Sequence, residues 1–386
     1  MENFEEKICL CALNRIFGFE PRTGLALLDH CGSASEIFRL SNHDQDLLLG
    51  AFSKYRGKIT PKATEEAEKE LSRLSSQKIW FCGYGEASYP NLLAQCEDSP
   101  IGLYIRTSSP LEDLWRNESV AVVGTRDISL YGKQWCEKIV TGLSETDIRP
   151  TIVSGLALGT DITAHRCAIE CGLPTIAVMA TGPENIYPVR HHDFAERMAD
   201  TPGCALVTDY PPGTAPLAIH FLRRNRIIAG LSKATILIES KIKGGGMMTC
   251  RLAFSYDRDV FCLPGRIDDI RSQGCNELIR QKIAEPITSI DRLIESLEMK
   301  HTDGNGIDWG RLLSRTYCNR LPQEDIALIA GLLLEIRKNF GITVDELTET
   351  VLQNRQKVSE LVNLLEIDGF ISIDLFQRCS MKVKKM

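Results

Sequence analysis

The middle of the chain alternates between short apolar runs and amphipathic segments. Six runs have the continuous apolar pattern of strands that are buried on both faces, and they span residues 119–123, 151–153, 174–178, 205–207, 234–238 and 260–263. Helical patterns fall between them, at residues 131–143, 161–170, 219–229 and 247–256. Strands that alternate with helices predict a parallel, doubly wound sheet. The fold class is therefore α/β with a Rossmann-like core, within a domain predicted at 76–298.

The residues before this core predict a small helical domain at 1–75, of the SAM or helix-hairpin-helix type. A glycine-containing turn at 17–23 joins two short helices, and the amides of such a turn can hold a DNA phosphate. Glu20 stands where the usual hairpin has its second glycine, so a packing role is the favoured interpretation. A polar helix is predicted at 62–74 and a connecting segment at 79–116.

The residues after the core predict a linker and a third domain. The stretch 299–319 is polar, contains glycine and lacks periodicity, which is typical of a linker. Residues 320–386 predict three helices, with Thr343 as the cap of the second, followed by an alternating strand-like tail after Gly369. Three helices and a β-wing resemble a winged helix.

Composition places the chain among ordinary globular proteins. Its 386 residues suit two or three domains, with 43% hydrophobic and 25% charged residues. No stretch approaches the ~20 apolar residues that span a bilayer. Three glutamates near the start differ from the basic beginning of a signal peptide. A cytoplasmic location without a membrane partner is expected.

Charge and cysteine content narrow the chemistry. The net charge of −6 counts mildly against a nucleic-acid partner, so any such site must come from local clustering of cations. Among the 14 cysteines the close pairs are Cys9/Cys11 and Cys167/Cys171, and neither has a second pair or a histidine at metal spacing. Free thiols in a reducing compartment are expected, with no metal and no cofactor.

Four junctions between a strand and a helix carry residues suited to holding a phosphate. The first contains Gly124, Thr125 and Arg126, which supply close approach, a hydroxyl and a guanidinium. The second runs from Ser154 and Gly155 through Gly159 directly into a helix, and its unpaired amides are expected to point above the sheet.

The third junction is a helix start that contains Phe221, Arg223, Arg224, Asn225 and Arg226. Three arginines within four positions predict a local positive field, and an aromatic ring beside them can stack on a base for about 1–3 kcal/mol. The alternative is a solvated helix face with Phe221 in the core.

The fourth junction has three consecutive glycines before a helix. Lys243, Gly245, Gly246 and Thr249 are its candidate contact residues, because successive amides in such a turn form a nest for an anion. Four sets of donors at one sheet edge favour anion binding.

Enzyme chemistry finds less support. Ser154, His165 and Asp161 suggest a nucleophilic triad, but no Gly-x-Ser-x-Gly elbow surrounds the serine, and a structural histidine is favoured. His191 and His192 lack a carboxylate pattern for a metal. The chain has neither a Walker motif nor a G-x-G-x-x-G turn, so no catalysis is expected.

Taken together these motifs resemble the DprA family, the DNA-processing protein A proteins also called Smf. The resemblance covers about residues 80–297 and rests on ordered matches at 89–90, 98–100, 103–104, 123–126, 131–132, 154–157, 159–161, 164–165, 187–188, 210–214, 224–228, 264–265 and 274–276. It implies a protein that binds single-stranded DNA, loads the RecA recombinase as in natural transformation, and forms a homodimer through the Rossmann-like domain.

The resemblance also implies DNA contacts by Arg126 and its turn, by Phe221, and by residues 224–226. Four positions depart from the family pattern: Thr125 replaces serine, Leu222 replaces proline, Asp209 replaces glutamate, and Ala218 stands where a lysine is common. The residues considered as substitutes for that lysine are Lys241, Lys243 and Arg190.

Two other functions stay open. One is a nucleotide-processing enzyme of the phosphoribohydrolase type, whose members carry a glycine-rich phosphate turn. The other is a transcription regulator that reads duplex DNA with its winged helix. The presumed recognition helix offers only Arg355 and Lys357 as cations, and the tail adds Lys382, Lys384 and Lys385, so protein contact is the favoured use of this domain.

Overall fold

The computed structural model describes residues 4–50, 52–300, 313, 316–317, 320–339, 341–351, 353–375 and 377–381. The chain divides into two units, Met1–Lys300 and His301–Met386. Each unit has its own hydrophobic core.

The first unit is built on a nine-stranded sheet. Its strands are β1 (Ile79–Gly83), β2 (Gly102–Arg106), β3 (Ser119–Val123), β4 (Thr151–Ser154), β5 (Thr175–Val178), β6 (Ala205–Thr208), β7 (Ala234–Leu237), β8 (Asp259–Cys262) and β9 (Glu285–Pro286). Their spatial order is β1-β2-β6-β5-β4-β3-β7-β8-β9, and β3 to β9 run parallel. The prediction of a doubly wound parallel sheet is confirmed.

Helices cover both faces of this sheet. They are α6 (Asn91–Ala94), α7 (Leu130–Ser144), α8 (Thr160–Glu170), α9 (His192–Ala199), α10 (Ala218–Gly230), α11 (Gly245–Ser255), α12 (Gln273–Arg280) and α13 (Ile290–Ser296). Successive residues of a strand point to opposite faces. Val120 and Val122 therefore pack with α7, α8 and α13, whereas Ala121 and Val123 pack with α10 and α11.

The segment predicted as a connection at 79–116 contains two strands, so that prediction is wrong. β1 pairs antiparallel with β2, and β2 pairs antiparallel with β6, which extends the parallel sheet at one side. Ile79 and Phe81 are buried while Trp80 is exposed. A strand of only five residues with this weak alternation is stabilised mainly by the elements that pack on it.

In the described part of the chain, the helices that precede β1 share a core with this antiparallel extension. They are α1 (Phe4–Phe17), α2 (Pro21–Cys31), α3 (Ala34–Arg39), α4 (Asn42–Leu49) and α5 (Pro61–Ser76). Their core includes Phe81 and Tyr104 from the sheet, and the Tyr104 hydroxyl donates a 2.7 Å hydrogen bond to Glu70 Oε1. The N-terminal helices and the sheet thus share one continuous core.

From residue 320 onward, the described part of the second unit has the predicted pattern of three helices and a wing. Its elements are α14 (Gln323–Lys338), β10 (Ile342–Thr343), α15 (Val344–Val351), α16 (Arg355–Ile367), β11 (Ile371–Ile373) and β12 (Arg378–Met381), and the strands pair antiparallel in the order β10-β12-β11. The Glu346 amide donates to Thr343 Oγ1 at 3.3 Å and the Thr343 amide donates to Glu346 Oε2 at 2.8 Å. This capping box confirms Thr343 as the helix cap.

The predicted linker at 299–319 is too long. Met299 is buried in the core of the first unit, and Leu313 and Tyr317 are buried in the core of the second. Residues 301–312 and 318–319 lie outside the described residues, as do Lys382, Lys384 and Lys385. Among the helices that the structure describes, none combines the length and apolar character needed to span a bilayer.

Candidate functional site

The centre of the sheet is the point where the winding of the chain reverses. β3 lies between β4 and β7; β4, β5 and β6 continue to one side, and β7, β8 and β9 to the other. Ligands of such sheets bind beyond the carboxyl ends of the strands at this reversal. The turns after β3 and β7 are therefore the first places to look for a site.

The turn after β3 rests on the beginning of α8. The Thr125 carbonyl accepts a 3.1 Å hydrogen bond from the Thr160 amide. A side chain at Gly124 would overlap Thr160 Oγ1, which is why glycine stands there. The chain then turns outward and leaves Arg126 exposed.

An aromatic pair lies beside Arg126. Its guanidinium carbon is 5.3 Å from the centre of the Phe221 ring, and the Tyr187 ring meets Phe221 edge-on with centres 5.4 Å apart. Phe221 is half-buried, and Tyr187 is 42% exposed. The alternative that placed Phe221 in the core is wrong, because its ring lies at the surface between a cation and a second ring.

The turn after β4 differs from its prediction. Asp161 Oδ2 accepts hydrogen bonds from the amides of Gly155 and Ala157, at 3.1 and 3.2 Å. The Ser154 hydroxyl donates to the Val122 carbonyl at 2.6 Å. The prediction of unpaired amides is wrong here. The Asp161 carboxylate accepts the hydrogen bonds that were predicted for a phosphate.

Arg224 closes the same turn from above. It is 4% exposed, donates from Nη1 to the Val178 carbonyl at 2.6 Å, and lies where any side chain at Gly155 would be. Burial raises the pKa of Asp161, and the Arg224 charge opposes that rise. Burial likewise lowers the pKa of Arg224 to about 10. This pair of buried charges holds the turn together.

His165 does not combine with Ser154 into a triad. Its Nδ1 lies 2.7 Å from Thr175 Oγ1, and that hydroxyl donates to the Ile152 carbonyl at 2.7 Å, so we assign the proton to Nδ1. Burial lowers the pKa of His165 to about 3. The imidazole is therefore a neutral structural group.

The three arginines at the start of α10 do not form one positive patch, which corrects the prediction. Arg226 is 6% exposed and is ion-paired with Asp209 while also donating to the Asp98 carbonyl. Arg223 donates to the Gly18 carbonyl at 3.1 Å. Each of the three guanidiniums, at positions 223, 224 and 226, therefore has its own partner within the protein, at Gly18, Val178 and Asp209 respectively.

The turn before α11 is open. The Gly244 amide donates to the Lys241 carbonyl, whereas the next three amides belong to the first helical turn and have no acceptor within the helix. A side chain at Gly246 would lie 2.6 Å from Leu237 Cδ1, but one at Gly245 would meet nothing within 4 Å. Lys241 and Lys243 are exposed beside it.

Asn225 and Thr249 support this open turn from behind. The Asn225 side-chain amide donates to the Gly245 carbonyl at 3.4 Å, and Thr249 is 1% exposed. A side-chain carbon at Gly246 would lie 3.5 Å from the Cα of Gly124. The turns after β3 and β7 are thus in contact at the centre of the sheet.

These features define a Rossmann-like protein whose central sheet edge carries groups suited to an anion. Arg126, Lys243 and free helix amides supply positive charge and donors, and Phe221 and Tyr187 supply ring surface. In the described part of the chain, no group of three histidine, cysteine or carboxylate side chains is placed to hold a metal ion.

Residues 80–298 match the model of the family described as DNA recombination-mediator protein A, so the chain belongs to that family. It is 36% identical to the DNA processing protein DprA of Streptococcus pneumoniae over 261 residues, which are 67% of this chain and 89% of the relative. The X-ray structure of that protein superposes with a TM-score of 0.59 at 33% identity, covering 74% of this chain and 95% of the other.

A second solved structure is DNA processing protein A from Helicobacter pylori, whose study concerns its single-stranded DNA binding mode. It has a TM-score of 0.50 and 30% identity, and covers 56% of this chain and 95% of its own.

The residue that sequence reasoning left out of the site is Tyr187. Tyr187 belongs to the family match at 187–188, but no pattern in the chain places it opposite Phe221, which is 34 positions away. An exposed aromatic residue in a loop beyond a buried strand was the available signal.

Proposed function

We propose that this protein binds single-stranded DNA without sequence preference at the surface formed by Arg126, Tyr187, Phe221, Lys243 and the amides at Gly245. The observation that carries the proposal is the stack of the Arg126 guanidinium on the Phe221 ring beside Tyr187. A cation and an exposed aromatic ring side by side suit a phosphate and the base next to it.

The aromatic rings favour a single strand over a duplex. Bases in a duplex are stacked on one another, so a protein ring reaches a base face only where the strand is unpaired. The single-stranded DNA binding mode described for the Helicobacter pylori relative supports the same conclusion.

The role that fits this activity is recombination mediation without catalysis. Membership of the recombination-mediator family supports a cytoplasmic protein that places the RecA recombinase on single strands, and a homodimer through the Rossmann-like unit. The separate contacts of Ser154 and His165 argue against a nucleophilic enzyme.

The binding surface is smaller than the set of residues first considered. Ser154, Gly155 and Gly159 serve the packing of the first turns, and Arg224 and Arg226 are buried. We assign these residues to positioning, with Arg126 and Lys243 as the cations that meet phosphate.

The test is a titration of labelled oligothymidylate at several salt concentrations. Arg126→Ala is expected to weaken binding about tenfold and to reduce the salt dependence by about 0.7 per lost phosphate contact. Phe221→Ala is expected to weaken binding but to keep the salt dependence, because stacking releases no counterions.

Arg116→Ala is the matched control, since Arg116 is exposed and precedes β3 at the opposite edge of the sheet. Unchanged affinity in both the Arg126 and Phe221 variants excludes the proposed surface.

The transcription-regulator alternative is disfavoured by the second unit. Arg355 is 2.8 Å from Asp345 and Lys357 is 2.8 Å from Asp325, so both cations of α16 are paired with carboxylates of their own unit. Competition by duplex DNA that exceeds competition by single strands would restore that alternative.

A further inference from the structure

A second exposed aromatic residue lies against the other flank of α10. Phe19, in the turn between α1 and α2, is 51% exposed, and the Arg223 guanidinium carbon lies 4.6 Å from the centre of its ring. Arg223 also donates to the Gly18 carbonyl at 3.1 Å. This hydrogen bond holds the turn of the N-terminal helices against α10.

The arrangement repeats the one formed by Arg126 and Phe221. In each case a guanidinium lies over one aromatic ring, at 5.3 Å for Phe221 and 4.6 Å for Phe19. Phe221 and Arg223 are two positions apart and so point to opposite sides of α10. The two rings are therefore separated by roughly the diameter of a helix, about 10–12 Å.

The surface between the two rings is open. Ile219 and Leu222 are 52% and 42% exposed on α10, so the ridge between the platforms is apolar and carries no negative charge of its own. Such a ridge suits the apolar faces of sugars and bases in a strand that crosses the helix.

The N-terminal helices also form a basic notch, which we define as the cavity of about 340 Å³ lined by Arg15, Lys58 and Lys62 together with Glu66. Contacts connect it with Phe19, because the neighbouring Glu20 pairs with Lys54, and Lys54 and Lys58 both lie over the Tyr55 ring. Among the described residues no carboxylate pairs with Lys58, whose ammonium lies 5.5 Å from the Tyr55 ring centre. Lys62 Nζ lies 4.0 Å from Glu66 Oε1, which is a long distance for an ion pair.

Carboxylates reduce the charge of this region without cancelling it. Glu70 is paired with Arg15, and Glu20 with Lys54. Lys58 stays available to an anion, and the notch therefore keeps a positive surface.

We propose that Phe19 and Arg223 form a second stacking platform for the same single strand, which crosses α10 from Phe221 and continues into the basic notch. The proposal rests on the proposed function. It makes the N-terminal helices part of the DNA-binding surface, so the protein occupies a longer stretch of DNA than the sheet edge alone can hold.

A nucleic-acid strand explains the pair of platforms better than an acidic peptide does. Successive bases each present a flat face, and aromatic rings spaced along a cationic surface are the usual means of holding them. An acidic peptide would form ion pairs with the cations of the notch, but its carboxylates would not stack on two exposed rings that flank a single helix.

The experiment compares oligothymidylates of about 2 and about 20 nucleotides, because only a strand as short as the first is confined to one of two rings about 10–12 Å apart. Phe19→Ala is expected to weaken binding of the long strand about tenfold and to leave the short strand unchanged, because the short strand occupies only the Phe221 platform. Lys58→Ala is expected to lower the salt dependence for the long strand alone. Phe52→Ala is the matched control, since Phe52 is fully exposed on the same helical region.

Equal affinity of wild type and Phe19→Ala for the long strand overturns the second platform, as does an equal loss for both lengths. Displacement of the long strand from wild type by a polyglutamate peptide, but not from Lys58→Ala, assigns the notch to acidic peptides and also overturns it. The Arg126→Ala and Phe221→Ala variants separate the two hypotheses: if both of them bind both lengths normally, the proposed function fails, whatever Phe19→Ala does.

Discussion

Two turns at the centre of the sheet are both rich in glycine, but the amides of one are bonded within the protein and those of the other are free. The turn between β4 and α8 contains Gly155 and Gly159, and Asp161 Oδ2 accepts two of its amide hydrogen bonds. The turn between β7 and α11 has three consecutive glycines, and its helix begins with free amides beside open space at Gly245. One turn is filled by the protein, and the other is available to a ligand.

The difference comes from the second residue of each helix. In α8 that residue is Asp161, whose carboxylate reaches back to the turn; in α11 it is Gly246, which has no side chain and packs against Leu237. Glycines in such turns therefore indicate close packing, and the neighbouring side chain decides whether the amides stay free for an anion. Asp161 thus fills the first turn, whereas Gly246 leaves the amides of the second turn uncovered.

The largest expected effect comes from removing the Asp161 carboxylate, which fills the turn between β4 and α8. Asp161→Ala is expected to lower the free energy of unfolding by about 2–4 kcal/mol, because two buried amides lose their acceptor and Arg224 loses its counter-charge. Urea denaturation measures the loss. Asp161→Asn, which keeps one acceptor oxygen, is expected to lose less. A variant Asp161→Ala as stable as wild type contradicts the structural role of the filled turn.

A pH titration of stability tests the buried helix that follows the filled turn. The pKa of His165 is lowered to about 3 by burial, so between its ordinary value of about 6.5 and 3 the unfolded chain binds a proton that the folded chain does not. Stability is therefore lost as the pH falls through this window, by up to about 1.4 kcal/mol per pH unit.

The matched variant is His165→Asn, whose amide can replace Nδ1 as the donor to Thr175. It is expected to be less stable at pH 7 and to lose less on acidification, as measured by thermal unfolding between pH 7 and 4.5. Parallel losses in variant and wild type exclude His165 as the source of the acid sensitivity.

In the open turn before α11, an added methyl group is expected to raise stability, whereas removing the carboxylate from the filled turn lowers it. Gly245→Ala is expected to raise the free energy of unfolding by about 0.5 kcal/mol, since alanine restricts the unfolded chain and meets no neighbour. The same methyl group partly covers the free amides, so affinity for single-stranded DNA is expected to fall.

Gly246→Ala is the contrast, because its methyl group meets Leu237 and is expected to destabilise the fold. Denaturation and titration of the two variants side by side check both effects. A Gly245→Ala protein that binds DNA as tightly as wild type shows that the amides at α11 do not meet the ligand.

The smallest expected effect concerns the cation beside the open turn. Lys243→Ala is expected to reduce the slope of log affinity against log salt by about 0.7 and to weaken binding a few-fold, with no change in stability because Lys243 is exposed. Lys241→Ala tests whether the neighbouring lysine contributes equally. An unchanged slope in both variants assigns the phosphate contact to other residues.

Local patterns along the chain were enough to predict the parallel sheet and four of the helices that cover it. The six apolar runs correspond to strands whose ends lie within one residue of the predicted ends. A strand that is buried on both faces consists almost entirely of apolar residues, so it can be recognised from its own sequence. The cap at Thr343 was also visible, since its partner Glu346 is three positions away. These features depend on neighbours along the chain.

Which of the predicted donors remain free depends on the packing of segments that are far apart in the chain. The sequence predicted Arg226 as a phosphate contact. Its partners in the structure are Asp209 and Asp98, which are 17 and 128 positions away, and no local pattern predicts contacts over such distances. The meeting of Arg126, Tyr187 and Phe221 has the same origin. A residue's type and its place on a strand or helix are local properties, whereas its burial and its partner depend on how distant segments pack together.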